Sequence, residues 1–470
     1  MSKERVLILG AGEAGKLLAF HFSINQEHNI QLVGMLDDVV KDVSDVLTQN
    51  FILGGLDQIQ EVCRTNQVDR IIVAIPTLEQ KRKQELLNEC AELEIKTQLL
   101  PEISDIVQNG ANPIVERSIE YSDLLNREVN ELDYQKLSKQ FKEKVVLISG
   151  AGGSIGSEIA KQVAKCGPKK IILLGHGENS IYVIAKELQE ENINNICSVI
   201  ADVQDQTRIE EVFKTYTPDI VYHAAAHKHV PMMEMNIKEA IKNNVLGTKN
   251  MVEAAAANAV ERFIMISTDK TVHPTSVMGA TKKIAEWLVQ LENETTSKTI
   301  FSVVRFGNVL GSRGSAIPLF WGQIQNNKPI TVTHPEMERY FMTIPEASQL
   351  VIEAGFLAKG NEIFILKMGE PQKIIDIIHK MITLSGKSLQ EIEITFTGLR
   401  NGEKIKEELF EEQEAMQEIN DRFYCGQSQV PYSRSEIDWM IQKLLIEDSE
   451  KIKEKLLNMT IYKKEYIHYA

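Results

Sequence analysis

The 470-residue chain lacks the features that mark membrane, secreted or nucleic-acid-binding proteins. Its five cysteines are scattered, odd in number and not spaced like metal ligands, which is typical of thiols in a reducing compartment. No apolar run approaches the roughly 18 residues of a membrane span, and the N-terminus has no signal-peptide pattern. A net charge of -14 offers no general basic surface to nucleic acid or anionic lipid, although a few placed arginines would suffice for a small anion. Composition therefore predicts a soluble cytoplasmic protein, and the length suggests about three structural units.

Two glycine-rich turns each follow an apolar β-strand pattern and precede a helical one. The first is GAGEAG at residues 10–15, and the second is GAGGSIG at residues 150–156. A strand, a glycine turn and a helix form the context required of a dinucleotide-binding fingerprint. Further strand and helix patterns alternate after each turn, which indicates parallel sheets with helices on both faces. The sequence thus predicts an α/β protein with two Rossmann-like, doubly wound parallel sheets.

The second turn is the stronger candidate for a cofactor site. Its glycines at 150, 153 and 156 allow a close approach of a pyrophosphate, and the following helix offers free N–H groups. The predicted cofactor-binding residues are Gly150, Gly153, Ser154, Ile155, Gly156, Asp202, Val203, Ala224, Ala225, Asn244 and Lys282. Asp202 ends a strand pattern where a carboxylate can bind an adenine amino group, and the two alanines leave room for a flat cofactor. The first turn is followed by Asp37 and Asp38, where a ribose-binding acid would lie, but by no catalytic constellation. It fits nucleotide binding and plain strand–helix packing equally well.

The expected domain organisation is a Rossmann-like domain at 1–130, a linker at 131–141, a cofactor-binding domain at 142–304, a substrate-binding part at 305–410 and a helical tail at 411–470. The charged, helix-prone residues 117–140 also fit an additional helix of one larger domain. No internal repeat of solenoid period is present.

The segment STDK at 267–270 and the segment MGATK at 278–282 suggest the catalytic chemistry. A strand pattern at 263–266 places Thr268, Asp269 and Lys270 at a carboxyl strand end, where open α/β sheets bind ligands. Short-chain dehydrogenases carry a Tyr-x-x-x-Lys pair at the second segment, yet here Met278 stands in the tyrosine position. A thioether cannot transfer a proton, so we expect Asp269 and Lys270 to do the acid–base work.

Met278 and Lys282 lie four residues apart and therefore share one helix face. By resemblance to the lysine of the Tyr-x-x-x-Lys pair, Lys282 is expected to bind the nicotinamide ribose. The alternative makes Met278 ordinary core and Lys282 a solvent-facing lysine, as we expect its neighbour Lys283 to be.

Five segments carry a resemblance to a known family: SGAGGSIGSE from Ser149, HAAAHKHVPMME from His223, STDKTVHPTSVMGATKK from Ser267, RFGNVLGSRGSAIP from Arg305 and GLRNGEKIKEEL from Gly398. From about residue 142 to 410 the chain resembles extended short-chain dehydrogenases that act on nucleotide sugars. Among these it is most similar to the UDP-N-acetylglucosamine 4,6-dehydratases of bacterial capsule and glycan synthesis. Residues 1 to about 130 resemble the degenerate Rossmann domain of the longer family members.

The resemblance implies an NAD(P)+ cofactor, UDP-N-acetylglucosamine as substrate and a homo-oligomer, without metal or nucleic acid. It implies that Asp269 protonates the leaving C6 hydroxyl, that Lys270 removes the C5 proton and that Thr268 binds near the C4 oxygen. The residues expected to contact substrate are Lys228, Asn308, Arg313, Arg339, Arg400 and Glu403. Guanidinium groups suit phosphate oxygens, so an acidic chain can still bind an anionic substrate.

Two departures from the family pattern leave alternatives open. The strand at 170–174 ends in Gly175-His176 without the acid that selects NAD, and no arginine stands there for NADP. Longer members carry N-terminal transmembrane helices that this chain lacks, so membrane association is expected only if the natural protein has them. A nucleotide-sugar 4-epimerase and a non-catalytic nucleotide-sugar-binding scaffold are the competing functional hypotheses.

Overall fold

The computed structural model describes residues 3–24, 30–39, 52–75, 82, 86, 89–90, 93, 95–99, 124–125, 134–295, 298–385, 387–447 and 449–461. The chain divides into two compact units that are discontinuous in sequence. Unit 1 comprises Met1–Glu128, Ala316–Glu336 and Lys373–Thr397, and unit 2 comprises Val129–Ser315, Met337–Gln372 and Gly398–Ala470.

The strands of the described residues, numbered in chain order, are β1 Glu4–Leu9, β2 Ile30–Leu36, β3 Ile52–Gly54, β4 Arg70–Val73, β5 Lys96–Leu99, β6 Val145–Ser149, β7 Lys170–Gly175, β8 Ile196–Ile200, β9 Ile220–His223, β10 Arg262–Thr268, β11 Ile300–Phe306, β12 Asn308–Leu310, β13 Ile330–Val332, β14 Glu338–Arg339, β15 Phe341–Thr343, β16 Glu362–Leu366, β17 Gln372–Lys373, β18 Ile394–Phe396, β19 Gln417–Glu418 and β20 Phe423–Gly426.

The α-helices of the same residues are Glu13–Ile24, Ile59–Asn66, Tyr134–Phe141, Ser154–Lys165, Glu178–Glu190, Gln206–Tyr216, Val230–Met235, Ile237–Ala240, Gly247–Ala257, Val277–Thr295, Ala316–Gln325, Ile344–Leu357, Ile374–Leu384, Arg434–Ile446 and Ser449–Ile461. A π-helical stretch spans Ile241–Leu246, and short 3₁₀ turns span Leu56–Gln58, Asp269–Thr271 and Glu412–Glu414. None of these helices is both long and apolar enough to cross a membrane.

Unit 1 contains a five-stranded parallel sheet in the order β3-β2-β1-β4-β5. The central strand β1 is buried on both faces because successive side chains point to opposite sides. Val6 and Ile8 pack with the helix Glu13–Ile24, whereas Leu7 and Leu9 pack with the helix Ile59–Asn66. This arrangement confirms the first predicted Rossmann-like sheet.

Unit 1 also takes two segments from the region predicted to form a continuous substrate-binding part. They contribute the parallel pair β13 and β18 and the helix Ile374–Leu384. Leu384 packs on the apolar core beneath the five-stranded sheet, and Glu391 forms an ion pair of 3.4 Å with Lys96 of β5. These segments join unit 1 through contacts between residues that are far apart in the sequence. No local sequence pattern predicts that they belong to this unit.

Unit 2 contains a nine-stranded sheet in the order β19-β20-β16-β11-β10-β9-β6-β7-β8. The strands from β16 to β8 are parallel, β20 pairs antiparallel with β16, and β19 pairs antiparallel with β20. The chain runs from β6 outward to β8 and then returns to β9 on the other side of β6. In open α/β sheets, ligands bind at the carboxyl ends of the strands at such a reversal of strand order. The carboxyl ends of β6, β9, β10 and β11 therefore lie side by side where a binding site is expected. The parallel strand order confirms the second predicted Rossmann-like sheet.

Two regions differ from their sequence interpretation. Residues predicted as a helical tail include β19 and β20, which join the main sheet, before the two helices Arg434–Ile446 and Ser449–Ile461. Residues 131–133 of the predicted linker lie outside the described residues, and the rest forms the helix Tyr134–Phe141. Leu137 and Phe141 of that helix are buried in the core of unit 2.

Candidate active site

The turn after β6 has the geometry of a phosphate cradle. Gly150 has a φ of +66°, and a Cβ there would lie 2.8 Å from backbone atoms of Ala224 and Ala225, which follow β9. A Cβ on Gly156 would lie 2.3 Å from the carbonyl oxygen of Gly150. Only glycine fits these positions, so the helix Ser154–Lys165 begins directly against the strand end.

The amino end of this helix is uncapped by any side chain. Gly153 is its exposed N-cap residue, and Ile155 in the first turn packs partly buried against the core. The Ser154 hydroxyl accepts a hydrogen bond of 3.0 Å from the Arg313 backbone N–H, and the Arg313 guanidinium donates one of 2.7 Å to the Gly152 carbonyl. Free N–H groups, a helix dipole and a guanidinium bonded to neutral groups fit the pyrophosphate of a dinucleotide.

A buried hydrogen-bond network that sequence reasoning missed connects β6, β9 and the helix Gly247–Ala257. His223 at the end of β9 places Nδ1 2.7 Å from the Ser149 hydroxyl and Nε2 3.0 Å from the Thr248 hydroxyl. Because Thr248 donates its own proton to the Asn244 carbonyl at 2.7 Å, Nε2 carries the ring proton and Nδ1 accepts from Ser149. Burial, assisted by a nearby lysine, lowers the pKa of His223 to about 3, so the ring is neutral. The sequence could not predict this network, because the residues beside Ser149 and His223 in their strands are apolar.

Asn244 and the Asp202-Val203 pair are held by the fold in different ways. The Asn244 amide accepts from the His227 backbone N–H at 2.8 Å and donates to its carbonyl at 3.0 Å, which fixes the loop after β9. The Asp202 carboxylate accepts from the Gln204 backbone N–H at 2.9 Å, and Val203 is buried. Asp202 is therefore presented at a strand end, whereas Asn244 acts by positioning the loop.

The end of β10 carries a compact ionisable turn. Asp269 is 1% exposed, and its Oδ1 accepts from the Thr268 hydroxyl at 2.8 Å and from Lys270 Nζ at 2.9 Å. Its Oδ2 is buried and has no hydrogen-bond partner among the described residues. Lys270 also donates to Asn308 Oδ1 at 3.3 Å, across to the start of β12. Burial opposes the charge of Lys270, but the carboxylates of Asp269 and Glu407 outweigh it, so the pKa of Lys270 is raised.

The helix Val277–Thr295 packs behind this turn and carries the second candidate catalytic segment, residues 278–282. Met278 is 4% exposed and contributes to an apolar cluster, while Lys282 is 5% exposed and donates to the Ile266 carbonyl of β10 at 2.8 Å. Burial lowers the pKa of Lys282 to about 8, although Glu286 partly counteracts it. The alternative of a solvent-facing Lys282 is thus wrong, whereas Met278 is a core residue in either interpretation.

A cavity with about 580 Å³ of empty volume, part of it open to solvent, lies beside the turn. Its lining combines cations, carboxylates and amides on a small apolar wall: Val230, Pro231, Lys270, Thr275, Ser276, Asn308, Arg339, Arg400, Gly402, Glu403, Lys404 and Glu407. The structure thus brings Lys270 together with four of the six predicted substrate residues, Asn308, Arg339, Arg400 and Glu403.

The predicted substrate residues differ in how free they are. Arg339 is buried and donates to the carbonyls of Glu338, Lys404 and Ile405 at 2.6 to 2.8 Å, so it mainly organises the cavity wall. Arg400 is exposed, and its backbone N–H donates to Glu403 at 3.2 Å.

Lys228 and Arg313 have their partners in a different part of unit 2. Lys228 donates to the Ser312 hydroxyl at 3.2 Å, next to the Arg313 that contacts the glycine turn. Both cations therefore approach the cofactor side of the site.

A buried ionic group supports the helix that carries Lys282, and it corrects one expectation. Arg305 of β11 is fully buried and bonds both carboxylate oxygens of Glu286 and of Glu414 at 2.6 to 2.7 Å. Lys283, expected to face solvent, is 3% exposed and donates to Glu414 at 3.2 Å. The expectation was wrong because the segment around Glu414 folds over this helix. Burial alone would raise the pKa of Glu414, but Arg305 and Lys283 hold it at about 2.

Comparison with known proteins identifies the family. Residues 146–427 match a model described as polysaccharide biosynthesis protein, and residues 2–101 match a model described as CoA-binding domain. The chain is 48% identical over 463 residues to the capsular polysaccharide biosynthesis protein CapD of Staphylococcus aureus, covering 98% of this chain and 77% of CapD. It is also 34% identical over 346 residues to the UDP-glucose 4-epimerase of Rickettsia bellii, covering 69% of this chain and 98% of the epimerase.

Solved structures agree on the fold. Pen from Bacillus thuringiensis matches with a TM-score of 0.58 at 38% identity, over 61% of this chain and 90% of Pen. The dTDP-glucose 4,6-dehydratase DesIV from Streptomyces venezuelae, determined with NAD bound, matches with a TM-score of 0.50 at 18% identity, over 57% of this chain and 88% of DesIV. The fold is thus the α/β fold of the extended short-chain dehydrogenases. Within it, the chain belongs to the polysaccharide biosynthesis protein family, as its motifs predicted.

Proposed function

We propose that the chain is a sugar-nucleotide enzyme of the dehydratase and epimerase type, and that it converts UDP-N-acetylglucosamine into a UDP-4-keto-6-deoxy-N-acetylhexosamine. The product would serve capsule or surface glycan synthesis. The observation that carries this proposal is the ion pair of Asp269 and Lys270, 2.9 Å apart beside the cavity, with Met278 in the tyrosine position. Oxidation or epimerisation at C4 needs one proton-transferring group at the C4 hydroxyl. Elimination of water needs two such groups, a base near C5 and an acid near the C6 oxygen. A pair of ionisable groups meets that second requirement.

NAD(P)+ is the cofactor that we assign to the turn after β6. Gly150 and Gly156 exclude side chains from the turn, and the uncapped helix beginning at Ser154 offers its N–H groups to a pyrophosphate. Lys282, whose amine lies against the end of β10, is placed to bind the nicotinamide ribose. When bound, the cofactor supplies the hydride acceptor for C4 and the hydride donor for C6.

The elimination itself is carried by residues of this chain. Lys270 donates to Asp269 Oδ1, so the shared proton resides on the lysine. Moving that proton across the 2.9 Å hydrogen bond gives a neutral amine and a carboxylic acid. Lys270 then removes the C5 proton, and Asp269 protonates the departing C6 hydroxyl, which leaves as water. One proton is taken up and one is delivered in the elimination, so the pair returns to its starting charge. When the hydride returns to C6, Lys270 gives a proton back to C5, and the proton released from the C4 hydroxyl on oxidation replaces it through solvent. Thr268 holds the C4 oxygen.

The cavity lining suits an anionic substrate even though the chain as a whole is acidic. Arg400 and Lys404 line the cavity, and we assign them to the diphosphate. Asn308, already within 3.3 Å of Lys270 Nζ, would contact the sugar, with Glu403 further along the same wall. Lys228, Arg313 and Arg339 complete the proposed substrate contacts. Arg339 also donates to backbone carbonyls, and the other two approach the glycine turn.

A 4-epimerase is the second candidate, favoured by the relatives named UDP-glucose 4-epimerase at 34% identity. Met278 argues against it, because it provides no proton-transferring group in the tyrosine position.

One experiment separates the candidates. The protein is incubated with NAD+ and UDP-N-acetylglucosamine in deuterated water, and the sugar is followed by NMR, with the Lys270→Ala variant as control. We expect a 4-keto-6-deoxy sugar with solvent deuterium at C5, formed by the unaltered protein alone. UDP-N-acetylgalactosamine would replace the proposal with epimerisation, and unchanged substrate would favour a non-catalytic binding protein.

A further inference from the structure

Glu407 is a carboxylate in the cavity wall that the proposed reaction does not use. Its side chain is 4% exposed, and Oε1 lies 3.6 Å from Lys270 Nζ and 3.8 Å from the Arg339 guanidinium. Its other oxygen, Oε2, is buried and has no hydrogen-bond partner among the described residues. A buried acceptor without a partner is costly, so an unsatisfied carboxylate oxygen in the wall of the proposed substrate cavity indicates a donor that arrives with the ligand.

The charges around Lys270 give Glu407 an electrostatic role. Asp269 at 2.9 Å and Glu407 at 3.6 Å face the amine from different parts of the chain, and the positive charge of Arg339 opposes them. The other ionisable groups of the cavity lining are Arg400, Glu403 and Lys404. An opposite charge within about 4–6 Å favours the charged form of a group. Two such carboxylates therefore stabilise the ammonium form, in which Lys270 cannot act as a base.

We propose that Glu407 is a positioning residue that keeps Lys270 protonated until substrate binds, and that an O–H or N–H donor of the bound sugar nucleotide engages its free Oε2 and weakens that hold. The inference rests on the proposed function, because it concerns the group assigned to C5. Glu407 transfers no proton itself. Its effect is electrostatic, and it couples deprotonation of Lys270 to the presence of a hydrogen-bond donor in the cavity.

The test compares Glu407→Gln with the matched control Glu408→Gln. Glu408 follows directly in sequence, but its side chain is 57% exposed and bonds His273 rather than Lys270. The protein without substrate is acetylated competitively with acetic anhydride across a pH series. Mass spectrometry of the peptide that contains Lys270 then gives the pH at which its amine becomes neutral. We expect the labelling midpoint of Glu407→Gln to move to lower pH by about one unit, and that of Glu408→Gln to stay with the unaltered protein. An unchanged midpoint in Glu407→Gln would overturn the inference.

Two further readouts complete the design. Added UDP-N-acetylglucosamine should lower the labelling midpoint of the unaltered protein but not that of Glu407→Gln, and no shift in the unaltered protein would contradict the coupling. The rise of kcat/KM with pH should move to lower pH in Glu407→Gln, whereas a merely structural role would lower activity without moving it. If Glu407→Gln does not fold, Glu407→Asp replaces it. Because Glu407→Asp keeps the negative charge, its labelling midpoint should match that of the unaltered protein. A labelling shift without turnover would refute the proposed function alone.

Discussion

Replacing Glu414 by Gln removes one charge from the buried ionic group while preserving the shape of the side chain. Both Glu414 oxygens bond Arg305 at 2.7 Å, and one also accepts from Lys283. The pKa of Glu414 is about 2 in the folded protein, against an ordinary value of 4.5. At 1.36 kcal/mol for each pKa unit, this difference corresponds to about 3 kcal/mol at neutral pH. Breaking a buried ion pair by removing one partner costs about 3–5 kcal/mol, so both arguments predict a loss of about 3 kcal/mol.

The pH dependence of this loss has a defined sign. A carboxyl whose folded-state pKa is depressed contributes stability above its unfolded pKa and loses it as the pH falls through the folded value. The gap between the unaltered protein and Glu414→Gln is therefore largest above pH 4.5 and shrinks toward pH 2.

Urea denaturation measures the effect, with Trp287 fluorescence as the probe in a background where Trp321 and Trp439 are replaced by Phe. Trp287 is buried in the helix that also carries Glu286 and Lys283. The exposed Glu412 gives the control, since its replacement by Gln should change stability by less than about 0.5 kcal/mol. The reasoning would be refuted if Glu414→Gln lost less than about 0.5 kcal/mol at pH 7. It would also be refuted if the difference in stability between this variant and the unaltered protein grew as the pH fell below 4.5.

The remaining predictions concern catalysis and the cofactor site. Asp269→Asn and Lys270→Ala should each abolish dehydration in the deuterium-exchange assay, whereas Met278→Phe should retain turnover because the thioether carries no proton. Gly156→Ala would place a Cβ 2.3 Å from a backbone oxygen of the turn, so we expect at least a tenfold weaker NAD+ affinity by fluorescence titration. Lys282→Met should raise the free energy of unfolding at pH 7 by about 2 kcal/mol. The pKa of Lys282, lowered to about 8, means that burial of the charged amine destabilises the fold, and the loss of one hydrogen bond offsets part of the gain from removing it. The unaltered protein should also gain stability from pH 8 to 10.5, and the Met variant should not.

The glycine and Lys282 predictions each have a matched control variant. Gly322→Ala adds a Cβ with no heavy atom within 4 Å and should leave NAD+ affinity unchanged, so equal losses would dismiss the steric argument. The exposed Lys165→Met should not alter the pH dependence of stability, and a destabilised Lys282→Met at pH 7 would contradict the burial argument. Full activity in Asp269→Asn or Lys270→Ala would end the assignment of the proton pair.

Local patterns allowed several site features to be predicted. The spacing of Gly150, Gly153 and Gly156 is a local requirement of a strand–turn–helix unit, so it was visible in the sequence. The position of Asp269 and Lys270 at a strand end followed from the apolar run before them. Side chains with partners far along the chain were misjudged or missed.

Lys283 and Glu407 illustrate that limit. Lys283 looked like a surface lysine because its own helix gives no partner, whereas Glu411 and Glu414, more than a hundred residues later, bury it. Glu407 and Glu408 are adjacent and identical in type, and only the fold directs the first to Lys270 and the second to His273.

The sequence by itself determined the α/β class, both Rossmann-like sheets, the family and the residues at the strand ends, because backbone turns and apolar periodicity act over a few neighbouring positions. Tertiary structure alone decided that β20 joins the main sheet, that Arg305 is enclosed by two carboxylates and that Glu407 faces Lys270. Those outcomes depend on the summed packing of segments distant in sequence, and the strength of a charge–charge contact depends on burial and distance, which the order of residues does not contain.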